Sequence, residues 1–249
     1  MNEVIRQLHE RKSVRAFEAK PIDPSVKQEI LLAACAAPTA GNQQMYTILD
    51  ITDKKLQKEL SVTCDNQPFI ADAAMVLIFC ADFRKWYNVY SLSGCAPRLP
   101  DAGDFVLAVQ DAVIAAQNAV TAAHSFGLGS CYIGDVMENC EQHREMLHLP
   151  KYVFPAAMVV FGYPTQQQKE RQKPDRCALS HIVHENTYRE LSGCELREMF
   201  DYKKGALTFD EWCRRFCERK HNSDFSYEMS RSVRMYLADY LKGECDNDL

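Results

Sequence analysis

The sequence lacks an excess of positive charge. Its 29 lysines and arginines are outnumbered by 34 aspartates and glutamates, giving a formal net charge of −5 and a pI near 5.8. A nucleic-acid-binding protein normally carries a broad basic face, so the composition argues against that class. Hydrophobic residues make up 47% of the chain and charged residues 25%, as in globular proteins. The 249 residues are enough for a sizeable core.

The sequence also has no C-x-x-C pair, and its eleven cysteines do not form a disulfide pattern. Their number is odd and no signal peptide precedes them, which indicates the reducing cytoplasm. Cys213 and Cys217 have no second pair at zinc-finger spacing, so no metal site is predicted. No apolar stretch free of charge reaches the roughly 20 residues of a membrane span.

The familiar nucleotide and nucleophile motifs are missing as well. There is neither a phosphate loop of the form G-x-x-x-x-G-K-S/T nor a G-x-S-x-G elbow, which excludes the common NTPase and hydrolase classes. Gly127 and Gly129 follow a predicted helix rather than a strand, so they do not form a dinucleotide-binding fingerprint.

Helices and strands nevertheless alternate up to about Pro164, which predicts a layered domain of sheet and helix. Asp23 before Pro24 predicts the start of a helix that ends before Pro38, and Asp53 predicts the start of another. The first ten residues and ENCEQHREMLHL are also predicted to be helical. The predicted strands are YTILDIT, AAMVLIFCADF, CYIG and PAAMVVFGYP, of which the second and fourth have the continuous apolar character of buried strands.

The strongest predicted helix spans residues 104–126 and is small and apolar almost all round. Such a helix must be buried, either inside the domain or across an oligomer interface, and we expect Gly127 and Gly129 to end it. The chain turns polar after Gln166 and becomes charged and helical after Glu190, as in an arm packed on a main domain.

Three cations and a serine lie close together in RKSVRAF, residues 11–17. If this stretch is extended, Arg11, Ser13 and Arg15 point to one face, because strand side chains alternate. Two guanidiniums and a hydroxyl form a receptor for a phosphate monoester. A second cationic pair, Lys173 and Arg176, lies in the polar linker. The alternative for both groups is a set of solvated surface cations.

Two further stretches carry polar groups suited to a flat ligand. APTAGNQQ, residues 37–44, concentrates hydroxyl and amide groups between a helix and a strand. These groups suit the edge of a polar heterocycle, although a simple polar connection is an equal alternative. GSCYIG, residues 129–134, offers backbone N–H groups near two glycines, where a flat ligand can approach closely.

In this order along the chain, RKSVR, APTAGNQQ, AAQNAVTAAHSFGLGSCYIG, VVFGYP and KPDR resemble the FMN-dependent nitroreductase family. The resemblance covers residues 1 to about 188. CADFRKW, LPKYVFP and HIVHENTY are similar to its NADPH-preferring, oxygen-insensitive nitroreductase and flavin reductase branch. The resemblance implies an α+β fold in which helices flank a central mixed, mostly antiparallel sheet, with a C-terminal helical extension. It also implies a homodimer with the flavin at the subunit interface.

The family's binding residues can be carried over by position. The N-terminal segment matches the one that contacts the FMN phosphate, ribityl chain and ring edge, and the linker pair matches a second basic clamp. Other positions match segments beside the isoalloxazine ring or packed against it. The FMN-binding residues so implied are Arg11, Lys12, Ser13, Arg15, Thr39, Asn42, Gln44, Gln67, Tyr132, Ile133, Gly134, Lys173 and Arg176.

Some positions depart from the family. Asp175 interrupts the usual Lys-Pro-Arg, which leaves open which basic residue reaches the phosphate. Asp135 stands where the branch often has a second glycine, and a carboxylate there could alter redox potential or substrate choice. The C-terminal part matches poorly. Arg219 and Arg231 are candidates for binding the 2′-phosphate of NADPH, and solvated helix charges are the alternative.

The resemblance implies an FMN-dependent NAD(P)H oxidoreductase without a catalytic residue of its own. NADPH or NADH delivers hydride to FMN in a ping-pong cycle, and a nitroaromatic, quinone or flavin then accepts the electrons. We expect an FMN-binding domain over residues 1–190 and a helical extension over residues 191–249, packed on the main domain or on the partner subunit. Open alternatives are a same-fold FMN enzyme such as an enone reductase or dehalogenase, a non-catalytic flavin-binding protein, and a metal or redox-thiol protein.

Overall fold

The computed structural model describes residues 1–241, and its contacts divide the chain into two compact units. The first comprises Met1–Arg171 together with the described residues from 229 onward, and the second comprises Gln172–Glu228. The predicted boundary between residues 190 and 191 stays a prediction. Residues 242–249, which end the predicted extension and include Cys245, lie outside the described residues.

A four-stranded antiparallel sheet forms the centre of the first unit. Its strands are β1 (Tyr46–Asp50), β2 (Met75–Asp82), β3 (Gly129–Ile133) and β4 (Val153–Gly162), in the order β1-β2-β4-β3. Every residue of β2 and β4 is buried, because these are the two central strands and helices cover them. This explains their continuous apolar sequences. The predicted α+β class and the mostly antiparallel sheet are confirmed.

Helices of the first unit surround this sheet, and side-chain caps explain where two of them begin. Asp23 accepts a hydrogen bond from the Ser25 N–H at 2.8 Å, and Asp53 accepts one from the Lys55 N–H at 2.9 Å, so the predicted starts are confirmed. The helices are α1 (Glu3–Glu10), α2 (Pro24–Cys35), α3 (Lys54–Thr63), α4 (Phe69–Asp72), α5 (Arg84–Leu92), α6 (Ala102–Ser125), α7 (Cys140–Met146) and α8 (Gln166–Glu170).

Helix α6 is the long apolar helix that the sequence predicts. One side is lined by buried alanines, which let it pack closely against α2 and the sheet. Gly127, with a φ of +75°, ends the helix as expected, but Gly129 does not, because it is already the first residue of β3. Helix α6 is long and apolar enough to cross a membrane. The core helix of a soluble protein meets the same two criteria of length and composition.

The chain after Glu190 is helical, as predicted. Its helices are α9 (Gly193–Phe200), α10 (Phe209–Lys220) and α11 (Asp224–Leu237). Capping boxes start the first two: Ser192 pairs reciprocally with Glu195, and Thr208 with Glu211. Each pair satisfies two backbone N–H groups that a helix N-terminus would otherwise leave exposed.

The segment that follows α1 lies directly beside the edge strand β3. Val14 N–H donates to Ser130 O at 2.9 Å, and Ser13 and Ser130 form a parallel bridge. This close approach requires glycine on the strand, since a Cβ at Gly129 would lie 2.6 Å from Cγ2 of Val14. A Cβ at Gly162 would meet the Phe17 ring in the same way, at 2.8 Å. The two glycines therefore allow residues 13–18 to dock on the sheet.

We expect Gly129→Ala to lower the free energy of unfolding by about 1–3 kcal/mol, as overpacking of a core typically does. The added methyl group must displace the β-branched Val14, whose backbone is hydrogen-bonded in place. Urea denaturation measures the change. Gly103→Ala in the first turn of α6, where a Cβ meets nothing within 4 Å, is the matched control. Equal stability of the two variants would contradict the packing argument.

Candidate functional site

Arg11, Ser13 and Arg15 all influence the thiol of Cys131 in β3. Burial raises the pKa of this thiol, while the charges of Arg15 and Arg11 and a hydrogen bond with Ser13 act in the opposite direction. Val14 is buried, whereas Arg15 is exposed and Arg11 and Ser13 are half-buried. This alternation is what an extended segment requires if residues 11, 13 and 15 lie on the side opposite Val14.

Arg11 has a hydrogen-bonding group that the described residues do not satisfy. Its Nη1 is buried, yet no described residue accepts a hydrogen bond from it. A buried donor without a partner costs about 1–3 kcal/mol, and an anion that accepts a hydrogen bond from Nη1 would remove that cost. The site therefore fits a phosphate group, which accepts charge-assisted bonds from arginine.

Lys12, by contrast, already has protein partners. Its ammonium donates to Lys169 O at 2.7 Å and also to Arg171 O. Arg171 in turn donates through Nη2 to Ser13 O, so these bonds fasten the cationic segment to the chain after α8. The sequence analysis missed Arg171, whose only signal is a basic residue two positions before Lys173.

The predicted polar loop between α2 and β1 is held by a buried carboxylate that the sequence analysis also missed. Asp111 on α6 is 2% exposed. Its Oδ1 accepts from the Ala40 N–H at 2.9 Å, and its Oδ2 accepts from the Met45 N–H at 3.1 Å. The available signal was a carboxylate in the middle of a largely apolar helix, one of two in α6.

This clamp fixes the residues predicted to lie beside a heterocycle. Thr39 is half-buried, and its Oγ1 accepts from the Gln44 N–H at 3.2 Å. Asn42 and Gln44 are exposed and have φ values of +57° and +52°, in the left-handed region that few non-glycine residues occupy. The loop therefore presents its amide side chains to solvent from a constrained backbone.

Tyr132, Ile133 and Gly134 lead from β3 into a 3₁₀ turn that His143 supports. Nε2 of His143 accepts a hydrogen bond from the Thr63 hydroxyl at 2.8 Å. Nδ1 of the same ring donates to Val136 O at 2.9 Å. Burial lowers the pKa of His143, which favours this neutral tautomer.

The structure also brings Gln67 to this turn. Its Nε2 donates to Oδ2 of Asp135 at 2.9 Å, and Asp135 directly follows Gly134 in the chain. Gln67 is therefore linked through Asp135 to the end of the segment Tyr132–Gly134.

The remaining predicted residues lie elsewhere. Lys173, Arg176 and Arg219 belong to the second unit, where Arg176 and Arg219 line one cavity of about 680 Å³ with Trp212 and Phe216. Arg231, in the first unit, forms a bidentate ion pair with Glu141 at 2.8 and 2.9 Å.

The ten cysteines within residues 1–241 are free thiols. No group of three or more His, Cys, Asp or Glu side chains in that range is arranged to hold a metal ion.

Comparisons with known proteins bear on the family and the fold. The model of the nitroreductase family matches residues 8–163. The chain is 31% identical over 238 residues to a Bacillus subtilis protein named FMN reductase (NAD(P)H), covering 95% of this chain and 91% of that protein. It is 34% identical over 191 residues to the oxygen-insensitive NADPH nitroreductase of Salmonella typhimurium, covering 77% of each.

A solved structure shows the same fold. The NADPH:FMN oxidoreductase from Vibrio harveyi, complexed with NAD⁺, superimposes with a TM-score of 0.81 at 25% identity. The match covers 95% of this chain and 98% of that one.

We expect Asp111→Asn to destabilise the protein by about 1–3 kcal/mol, the usual cost of a buried donor without a partner. The carboxylate accepts one N–H at each oxygen, whereas an asparagine has one oxygen and would turn its NH₂ toward the other N–H. Thermal and urea unfolding measure the loss. Asp72→Asn, at an exposed position, removes the same charge as a control, and an equal effect of both changes would refute the two-bond clamp.

Proposed function

Because the chain belongs to the nitroreductase family, we propose that it binds FMN through the residues of the first unit described above. The protein is an FMN-dependent NAD(P)H oxidoreductase. Bound FMN supplies the two-electron chemistry, taking hydride from NAD(P)H and reducing a nitroaromatic, quinone or flavin acceptor. The observation that carries the proposal is the buried Nη1 of Arg11, which has no acceptor among the described residues.

The phosphate end of FMN is assigned to Arg11, Ser13 and Arg15. Arginine binds phosphate in a planar, bidentate manner, and Arg11 has a buried donor available for it. Lys12 and Arg171 contribute by holding the segment in place through backbone oxygens, and they add positive charge. Lys173 and Arg176 remain the proposed second clamp.

The ring end is assigned to the polar loop and the turn after β3. Thr39, Asn42 and Gln44 offer hydroxyl and amide groups from a backbone held by Asp111. Gln67 and the segment Tyr132–Gly134 complete the proposed set. Orientation of the ring is the main task of such residues, because the cofactor carries the chemistry.

Nicotinamide cofactor binding is assigned to Arg219, with Arg231 as a further candidate. Arg219 lines a cavity that also contains Trp212 and Phe216, a combination suited to a charged, flat ligand. Arg231 would have to exchange its ion pair with Glu141 for a phosphate. Because Arg231 would first have to give up this ion pair, Arg219 is the stronger candidate for binding the nicotinamide cofactor.

We propose that the protein is a homodimer that works in the reducing cytoplasm. Val106, Leu107, Val113 and Ile114 form an exposed apolar stripe on α6, each at least 40% exposed, and a second subunit would cover it. Light scattering should give twice the chain mass of 28.4 kDa, and Val113→Glu should shift the protein toward monomer. A monomeric wild-type protein would contradict the homodimer. A disulfide in the native protein would contradict the reducing cytoplasm.

The deciding experiment is the visible spectrum of protein reconstituted with FMN, before and after anaerobic addition of NADPH or NADH. We expect a bound-flavin spectrum that bleaches and that recovers when a nitroaromatic, quinone or flavin acceptor is added. A bound flavin that stays oxidised would instead identify a non-catalytic flavin-binding protein. Reduction of an enone, or loss of a halide from the substrate, would instead identify an enone reductase or a dehalogenase of the same fold.

Arg15→Ala should weaken FMN binding by about 1–3 kcal/mol, the value of a hydrogen bond to a charged group. Titration of the apoprotein with FMN, followed by flavin fluorescence, measures the change. Arg6→Ala is the matched control, since Arg6 is an α1 cation paired with Glu3 and Glu10. Unchanged affinity of the Arg15 variant would remove Arg15 from the phosphate site.

A further inference from the structure

Asp135 and Gln67 form a polar contact that joins two separate parts of the chain. Gln67 lies between α3 and α4, and Asp135 lies in the 3₁₀ turn Gly134–Met137. Gln67 Nε2 donates to Asp135 Oδ2 and to Cys64 O, each at 2.9 Å. Both side chains are half-buried. The contact therefore fixes the position of a carboxylate next to Gly134.

The chemistry of the two acceptors determines the orientation of the amide. A carboxylate oxygen and a main-chain carbonyl oxygen can only accept, so the atom of Gln67 that faces them must be the nitrogen. Both of its hydrogens are used in these bonds. The carboxylate of Asp135 thus receives one bond from a neutral group, which holds it in place without cancelling its charge.

The backbone on each side of the contact is held as well. Asp65 and Asn66 have φ values of +59° and +51°, a strained arrangement of the kind concentrated at ligand sites. The Gln67 N–H donates to Ser61 O at 2.7 Å. On the other side, His143 holds Val136 O, one residue after Asp135. The carboxylate therefore has little freedom to move away from a ligand.

We propose that Asp135 is a residue of the flavin site that lowers the reduction potential of bound FMN; this rests on the proposed function. Reduction adds negative charge to the ring, and a fixed carboxylate nearby disfavours that charge. The arginines of the phosphate site act in the opposite direction. Asp135 thereby sets how strongly the reduced cofactor donates electrons and so which acceptors it can reduce.

The test is the midpoint potential of bound FMN, measured by anaerobic spectroelectrochemical titration against a reference dye. Asp135→Asn removes the charge and keeps an oxygen that can accept from Gln67. It should favour the reduced over the oxidised cofactor by about tenfold, a rise of about 30 mV for a two-electron couple. Asp135→Glu keeps the charge and should stay closer to the wild-type value.

A control and the contrary outcomes separate this inference from the proposed function. Asp72→Asn removes an exposed charge outside the assigned residues and should leave the potential unchanged. An unchanged potential in Asp135→Asn, or equal shifts in the Asn and Glu variants, would overturn the role of the charge while FMN binding stands. Wild-type protein that does not bind FMN in the preceding titration would overturn the proposed function, and this inference with it.

Discussion

The burial of helix α6 against the sheet and α2 is the constraint on which the candidate site depends. Close packing requires small side chains, and alanines supply them along the buried side. Two polar residues in the middle of the helix bond to neighbouring backbone: the buried Asp111 accepts from Ala40 and Met45 in the α2–β1 loop, and the half-buried Asn118 donates to Ala33 O at 3.1 Å. A helix that forms the core therefore also determines the shape of a ligand-binding loop, because a buried polar group must find a partner.

A second constraint is the docking of the cationic segment on the edge of the sheet. Like charges repel, and the docked backbone at Val14 limits how far Arg11, Lys12 and Arg15 can move apart. Val14 is buried against Gly129, and its N–H bonds to β3. The apolar residue in the middle of RKSVR thus provides the anchor, while its neighbours supply the charge.

Much of the fold could be predicted because local rules and tertiary structure agree. Asp23 with Pro24 gives a helix start in any context, and the apolar runs of β2 and β4 have few alternatives to burial. Local sequence rules do not reveal three other features: the pairing order of the strands, the bond from Arg171 to Ser13 and the clamp by Asp111. They join residues far apart in sequence, and a single carboxylate in a helix has no local pattern that reveals its partners. Gly129 was misread for a related reason: a glycine after a helix resembles a stop signal, and only the position of Val14 shows its actual role.

The two turns that carry the predicted ring residues concentrate backbone strain. Asn42 and Gln44 occupy the left-handed region in one turn, and Asp65 and Asn66 occupy it in the other. Each such residue costs on the order of 1 kcal/mol or more, and the tertiary structure must offset this cost. Hydrogen bonds from outside each turn contribute to this offset: Asp111 holds the first turn, and Asp135 holds Gln67 at the end of the second. Since both anchors are carboxylates, the same groups that stabilise the strained backbone place negative charge near the proposed ring site. The arginines beside Cys131 supply the opposing charge, so the balance that acts on a bound flavin follows from the way the turns are built.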